Sequence, residues 1–209
     1  TSAPRLPVDR FGIIDPDSAA LAGLVAVQHM NNETGVIQPL SDIARAVSGA
    51  GGRLLADCAQ SAGKMDLPEA DFIAISAHKF GGPVGVGALL VRDWAMLTPT
   101  GGQERGYRAG TENLPAVLAM VAALEAGRSW LEHAALLRDK LEAGISEAGG
   151  GIIAQGAPRL PVIGAYRMPG MSSAVQLIRF DGQGIAVSAG SACSSGSLKA
   201  SHVLTAMDV

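Results

Sequence analysis

Residues 72–79 read Phe72-Ile73-Ala74-Ile75-Ser76-Ala77-His78-Lys79, and the prediction of the fold starts from this segment. Its first four residues are apolar without alternation, a pattern typical of a strand that is buried on both faces. Polar residues follow at once and end in Lys79, just before the glycine-rich turn 80–83. This pattern predicts one strand of a parallel α/β sheet, in which ligands bind at the carboxyl ends of the strands.

The same pattern recurs on both sides of this stretch. Besides Phe72–Ile75, we predict strands over Leu24–Val27, Arg53–Ala56 and Gly87–Val91. Ser41 is predicted to cap a helix that carries Ile43 and Val47 on one face. Apolar strands joined by helices predict an α/β fold with a mostly parallel sheet covered on both faces.

A second lobe is expected to begin within a helical pattern that runs from Leu114 to about Ala148. Beyond it we predict a strand near Val162–Met168, a helix capped near Ser172, a strand over Ile185–Val187 and a last helix from about Ser201. We therefore expect part of a large domain over 1–128 and part of a smaller α+β C-terminal domain over 129–209.

Composition excludes several classes of function. The sequence has 209 residues, 48% of them hydrophobic, which is enough for a sizeable core. Its net charge of -3 argues against a nucleic-acid partner. It has no apolar run of the roughly 20 residues that span a membrane and no apolar secretory signal at its start. We therefore expect a cytoplasmic protein with neither a nucleic-acid nor a membrane partner.

Polar residues follow the predicted strands at the points where the strands end. Lys79 follows one strand, and Asp57 follows its neighbour with Gln60 close behind. Taken singly, the lysine is typical of an exposed turn and the aspartate of a turn or cap. Together they suggest a pyridoxal phosphate site, because a partly desolvated amine favours Schiff-base chemistry and a carboxylate can pair with the pyridinium nitrogen.

Several segments resemble, in family order, motifs of the NifS/IscS-like cysteine desulfurases, which belong to the class V aminotransferase group. The segments are Asn31–Gly35, Asp57–Ser61, Ser76–Lys79, Gly102–Thr111 and Ser188–Gly196. The resemblance covers nearly the whole chain. It implies the fold type I of pyridoxal phosphate-dependent transferases and an enzyme that removes sulfur from L-cysteine to give L-alanine.

The resemblance also implies roles around the cofactor ring. Lys79 would bind pyridoxal 5'-phosphate covalently and move protons during catalysis. Asp57 would pair with the pyridine nitrogen, and Gln60 would contact the ring hydroxyl. Asn32 would lie near that hydroxyl and the substrate carboxylate.

Three further residues resemble ligands of the cofactor phosphate. Ser76 and His78 would bind the phosphate of their own subunit. Thr111 resembles the threonine that reaches the phosphate of a neighbouring subunit. The resemblance therefore implies a homodimer with shared active sites.

The sequence has two cysteines, too few for a disulfide framework and without the spacing of a zinc site, so no metal is expected. Cys58 follows a buried strand and is expected to be inert. Cys193 lies in a run of small residues, Ser188–Ser197, and is expected to be exposed and mobile. By resemblance, its thiolate would take the substrate sulfur as a persulfide and pass it to an acceptor protein, for example in iron–sulfur cluster biogenesis.

The sequence departs from the family pattern at both ends. It lacks the early Gly/Thr phosphate loop, the histidine that stacks on the ring and the C-terminal arginine that clamps the substrate carboxylate. We therefore expect an incomplete chain with weak activity on its own. Two alternatives stay open: another class V aminotransferase or selenocysteine lyase, and a truncated, non-catalytic binding partner.

Overall fold

A computed structural model describes residues 3–189 and 200–209 of the chain. Its contacts divide the chain into two compact units. The sheet unit comprises Pro16–His29 and Pro39–Ser129, and the second unit comprises the described residues of Thr1–Asp15, Met30–Gln38 and Trp130–Val209. The division into domains over 1–128 and 129–209 stays a prediction.

A four-stranded sheet organises the sheet unit, in the order β1-β2-β3-β4. Its strands are β1 (Leu24–Gln28), β2 (Arg53–Asp57), β3 (Phe72–Ser76) and β4 (Gly87–Val91). The first three are mutually parallel, and β4 runs antiparallel to β3. The expected α/β class with a mostly parallel sheet is therefore confirmed, as are the four predicted strands.

Helix α1 (Leu40–Gly49) follows β1 and buries Leu40, Ile43 and Val47. The spacing of these three residues puts them on one apolar stripe. The prediction that Ser41 caps this helix is wrong. Pro39 occupies the cap position and makes no side-chain hydrogen bond there. The helix begins earlier because burial of Leu40 extends the apolar stripe by one turn.

Asp71 ties three strands together at the end of the sheet where β3 begins. Its Oδ2 accepts a hydrogen bond from the backbone N–H of Leu54 at 2.8 Å, and its Oδ1 lies 2.6 Å from the guanidinium of Arg92. The carboxylate is buried, whereas the Arg92 side chain is largely exposed. A buried charge held by these two partners fixes β2 relative to the two strands that follow it.

The expected helical stretch from Leu114 to Ala148 forms two helices. Helix α2 (Leu114–Glu125) belongs to the sheet unit and begins after Asn113, whose side chain accepts a hydrogen bond from Ala116 N–H. Gly127 then adopts a φ of 76°, a left-handed conformation that ends the helix. Helix α3 (Leu131–Glu147) follows as part of the second unit.

The rest of the second unit contains a short antiparallel pair and two further helices. These elements are β5 (Gly151–Ile152), β6 (Tyr166–Arg167), α4 (Ser173–Asp181) and α5 (His202–Ala206). Ser172 and Ser201 occupy the cap positions of the two helices, as predicted, and Ser201 also makes side-chain capping hydrogen bonds. The strand expected near Val162–Met168 is confirmed only over Tyr166–Arg167.

The predicted strand Ile185–Val187 is wrong, since the structure shows irregular backbone there. The side chains of Ile185 and Val187 are 50% and 48% exposed. No described segment forms a β-ladder with them. Because strand hydrogen bonds need a partner strand, apolar β-branched residues alone do not make one.

A small apolar cluster forms the core of the second unit. Val36, Ile153, Ala154 and Met207 are its buried members. Nearby, Arg159 forms a two-pronged ion pair with Glu142, with N–O distances of 2.8 and 3.0 Å. Among the described residues, no helix is both long and apolar enough to cross a membrane.

Candidate active site

Asp57 and Lys79 lie at the carboxyl ends of two neighbouring parallel strands. Asp57 is the last residue of β2 and is in register with Ala74 of β3. Lys79 ends the 3-10 turn Ala77–Lys79, which follows directly after β3. The structure thus places an acid and an amine at the edge of the sheet where α/β folds bind their ligands.

The Asp57 carboxylate is half-buried and only partly engaged. Its Oδ1 accepts a hydrogen bond from the backbone N–H of Ala59 at 2.9 Å, which bends the chain as it leaves β2. Its other oxygen makes no hydrogen bond within the described part of the chain. That oxygen is therefore available to accept a hydrogen bond from a protonated nitrogen of a ligand.

The Lys79 side chain is also half-buried, and its amine makes no hydrogen bond or ion pair with any described residue. Its backbone, in contrast, is well fixed. The N–H groups of Phe80 and Gly82 donate to the carbonyl of Ala77 at 3.1 and 2.9 Å. A fixed backbone that carries a free amine suits a lysine that reacts with a bound group.

Ser76 and His78 form a hydrogen-bonded pair on the same turn. Oγ of Ser76 lies 2.9 Å from Nδ1 of His78. If the hydroxyl donates, the histidine carries its proton on Nε2, which is then a donor to an external anion. The His78 side chain is exposed. A hydroxyl and an imidazole side by side are suitable donors for a phosphate.

The loops after β2 and β3 approach each other closely. Gly63 has a φ of +72°, and a Cβ added there would meet Phe80 at 2.7 Å. Only glycine satisfies both the left-handed backbone and this close contact. Gln60 lies in the same loop as Gly63, so the approach brings its backbone towards the Lys79 turn. The five residues thus lie at the ends of β2 and β3 or in the two adjoining loops that follow them: Asp57, Gln60, Ser76, His78 and Lys79.

Lys64 contacts the same two loops, although its local sequence pattern did not predict this. Its side chain is buried, and its Nζ donates to the carbonyls of Gln60 and Lys79 at 2.8 and 2.6 Å. Burial lowers the pKa of Lys64, and the positive charge of Lys79 lowers it further. A lone lysine ordinarily indicates an exposed side chain. The glycine before it was the only local signal of an unusual position.

His29, a buried polar residue that follows β1, contacts the loop after β2. Nδ1 of His29 lies 3.0 Å from Oγ of Ser61 and 3.8 Å from Sγ of Cys58. Burial lowers the pKa of His29 and raises the pKa of Cys58. Cys58 is 0% exposed, as expected. These contacts hold the loop in place.

Three further expected site residues belong to other segments of the chain. Asn32 belongs to the second unit, in a turn where Oδ1 of Asn31 accepts from the N–H groups of Glu33 and Thr34. Thr111 is exposed in the segment before α2. Cys193 lies outside the described residues. The roles implied for these three stay predictions.

Comparison with known proteins agrees with the resemblance drawn from the motifs. A family model described as Aminotransferase class-V matches residues 5–207. A curated cysteine desulfurase from Cereibacter sphaeroides is 38% identical, over 98% of this chain and 57% of its own length. Cysteine desulfurase NifS from Azotobacter vinelandii is 37% identical, over 98% of this chain and 56% of its own length. The chain thus spans little more than half the length of these relatives.

Solved structures agree in fold. A protein described as NifS-like superposes with a TM-score of 0.86 at 31% identity, over 99% of this chain and 58% of that protein. A structure described as SspA in complex with cysteine superposes with a TM-score of 0.81 at 28% identity, over 99% of this chain and 62% of that protein. The fold around the two loops is therefore one that these proteins share.

Proposed function

Because the chain belongs to the class V aminotransferase family, we propose that it carries the chemistry of a pyridoxal phosphate-dependent cysteine desulfurase. The curated relatives bear that name at moderate identity. The resemblance of its motifs to this family is thereby confirmed. The activity, the substrate and the partners discussed below belong to the proposal.

One observation carries the proposal. A carboxylate oxygen of Asp57 and the amine of Lys79, neither with a hydrogen-bond partner in the described part of the chain, lie at or just after the ends of neighbouring parallel strands. Pyridoxal phosphate needs an anion beside its ring nitrogen, an amine for its aldehyde and hydrogen-bond donors for its phosphate. Asp57, Lys79 and the Ser76–His78 pair supply these groups. The donor set therefore fits the cofactor.

When bound, pyridoxal phosphate would withdraw electrons from Cα of L-cysteine. In the proposal, Lys79 would hold the cofactor through its amine and would move the Cα proton. Asp57 would keep the ring nitrogen protonated, and Gln60 and Asn32 would contact the ring hydroxyl. Ser76 and His78 would bind the phosphate, and Thr111 would reach the phosphate of a second copy in a homodimer.

Sulfur transfer is assigned to Cys193. Its thiolate attacks the substrate sulfur, so that an S–S bond forms on Cys193 while the Cβ–S bond of the substrate breaks. Cβ gains a proton in place of sulfur, and L-alanine leaves. The persulfide then passes its outer sulfur to an acceptor protein. A reducing compartment keeps a free thiol from being oxidised to a disulfide, so a cytoplasmic location is proposed with it.

The test measures alanine and sulfide released from L-cysteine by the purified protein with pyridoxal phosphate and a thiol reductant. Lys79→Ala is expected to abolish the absorbance band of the lysine-bound cofactor together with alanine release. Cys193→Ala is expected to abolish persulfide formation and to leave that band intact. Cys58→Ala is the control and is expected to retain activity, because Cys58 is buried.

Three outcomes would contradict the proposal. Alanine release that is independent of Cys193 would favour a selenocysteine lyase, and amino transfer to a keto acid would favour an aminotransferase. A protein that binds a sulfur acceptor but shows no Lys79-dependent absorbance band would favour the non-catalytic binding partner.

A further inference from the structure

We propose that Lys64 is a positioning residue that holds the backbones of Gln60 and Lys79 at a fixed separation, and so sets the reactive amine relative to the cofactor ring. This inference rests on the proposed function. It assigns a role to a residue that touches neither substrate nor cofactor in that mechanism.

The Lys64 ammonium bridges two loops through hydrogen bonds to their backbones. Its Nζ donates to the carbonyl of Gln60 at 2.8 Å and to the carbonyl of Lys79 at 2.6 Å. The first carbonyl belongs to the loop after β2, and the second ends the turn after β3. No described backbone N–H donates to either carbonyl. The two hydrogen bonds from Lys64 are therefore the ones that these two carbonyls accept from the described part of the chain.

The backbone conformation at residues 61–64 directs the Lys64 side chain towards the turn after β3. The left-handed Gly63 packs against Phe80, the residue that follows Lys79. The N–H of Lys64 donates to the carbonyl of Ser61 at 3.0 Å, which closes the turn. Contact between the two loops therefore occurs at adjacent positions on each side, Gly63 with Phe80 and Lys64 with Lys79.

The charge of Lys64 is costly where it lies. The residue is only 8% exposed, and none of the ion pairs formed within 3–189 and 200–209 includes it. Lysine is rarely buried without an anionic partner. Burial, and then the nearby charge of Lys79, lower its pKa. A methionine would fill the same space at lower cost, so the ammonium serves its two acceptors and not the packing.

The experiment compares Lys64→Met, Lys64→Arg and the unsubstituted protein, each as the complete protein. The arginine variant keeps a cation with N–H donors. Lys140→Met is the matched control, because Lys140 is exposed on α3. The first readout is amide hydrogen exchange in cofactor-free protein. The second is borohydride trapping of added pyridoxal phosphate, with peptide mapping of the labelled lysine.

Lys64→Met is expected to speed exchange of the Ala62, Phe80 and Gly82 amides by roughly tenfold or more, the loss associated with one hydrogen bond to a charged group. The Ala50 amide at the end of α1 is expected to be unchanged. Trapping at Lys79 is expected to slow by a similar factor. Lys64→Arg should recover most of both effects, and Lys140→Met should show neither.

Unchanged exchange and trapping in Lys64→Met would overturn the inference. Equally fast exchange throughout the sheet unit, in the methionine and arginine variants alike, would also overturn it, since Lys64 would then serve the whole fold. Failure of the unsubstituted protein to trap cofactor at Lys79 would instead contradict the proposed function. The exchange readout needs no cofactor and still decides the role of Lys64.

Discussion

Oγ of Ser201 donates a hydrogen bond of 2.6 Å to Oε2 of Glu33, across 168 positions of sequence. Glu33 is 9% exposed, and its Oε1 has no hydrogen-bond partner among the described residues. Ser201 also accepts from the N–H groups of Val203 and Leu204 and so caps α5. One hydroxyl therefore fixes the start of α5 and supplies the hydrogen bond to a buried carboxylate.

Ser201→Ala is expected to destabilise the protein more than the loss of a helix cap alone. The cap contributes about 1 kcal/mol, and leaving the Glu33 carboxylate without a partner adds about 1–3 kcal/mol. Urea unfolding measures the sum. Adding Glu33→Gln should reduce the penalty, since it removes the buried charge. A loss no larger than that of the cap would show that Ser201 does not support Glu33.

The stability of the fold is expected to fall in mild acid because of His29. Burial lowers the folded-state pKa of His29 below its ordinary value of 6.5. Between these two pKa values, the unfolded state binds more protons at His29 than the folded state does. The contribution of His29 to the free energy of unfolding is therefore constant above pH 6.5, and the free energy of unfolding declines as the pH falls towards the folded-state pKa.

His29→Gln should flatten that decline, at some cost in stability at neutral pH through the lost contact with Ser61. The measurement is urea unfolding between neutral and acidic pH. His133→Gln, at an exposed position of α3, is the control and should leave the slope unchanged. An unaltered slope in His29→Gln would assign the acid sensitivity to other groups.

Asp71→Ala is expected to lower the free energy of unfolding by about 2–3 kcal/mol, because it removes a charged acceptor from Leu54 N–H and from Arg92. Asp66→Ala is the matched control. Asp66 also pairs with an arginine, Arg128, but its side chain is 90% exposed. Exposed ion pairs contribute about 0–1 kcal/mol. Similar losses in both variants would show that burial of Asp71 is unimportant.

Asp57→Asn is expected to reduce alanine release by roughly 10- to 100-fold, since a hydrogen bond to a charged group contributes about 1.5–3 kcal/mol. The amide preserves size but supplies no negative charge for the ring nitrogen. Asp66→Asn, at an exposed position, serves as the control. Retained activity in Asp57→Asn would remove Asp57 from the mechanism.

The sheet could be predicted from the sequence because its signals are local. Runs such as Leu24–Val27 and Phe72–Ile75 are short, apolar and bounded by polar residues. The polar residues after them end up at one edge because parallel strands share a direction. The expectation that Asp57 and Lys79 lie at the same edge of the sheet followed from this rule alone.

The remaining features depend on contacts that local patterns do not encode. Ser41 has the chemistry of a helix cap, but burial of Leu40 moves the helix start. Ile185 and Val187 have the chemistry of a strand and no described partner. Lysine is ordinarily a surface residue, yet Lys64 is buried because its ammonium donates hydrogen bonds to two carbonyls from separate loops. The roles of Ser76, His78 and Gln60 came from the resemblance.

Because β4 runs antiparallel to β3, the segment that follows β4 lies at the opposite end of the sheet from Lys79. That segment is a suitable place to attach a probe. Val91 of β4 is in register with Phe72, so β4 ends beside the start of β3. The 3-10 turn Trp94–Met96 that follows is therefore removed from Lys79 by about the length of a strand, roughly 17 Å. A dye or affinity handle introduced there would report on the molecule or immobilise it without covering Lys79, the lysine proposed to bind the cofactor.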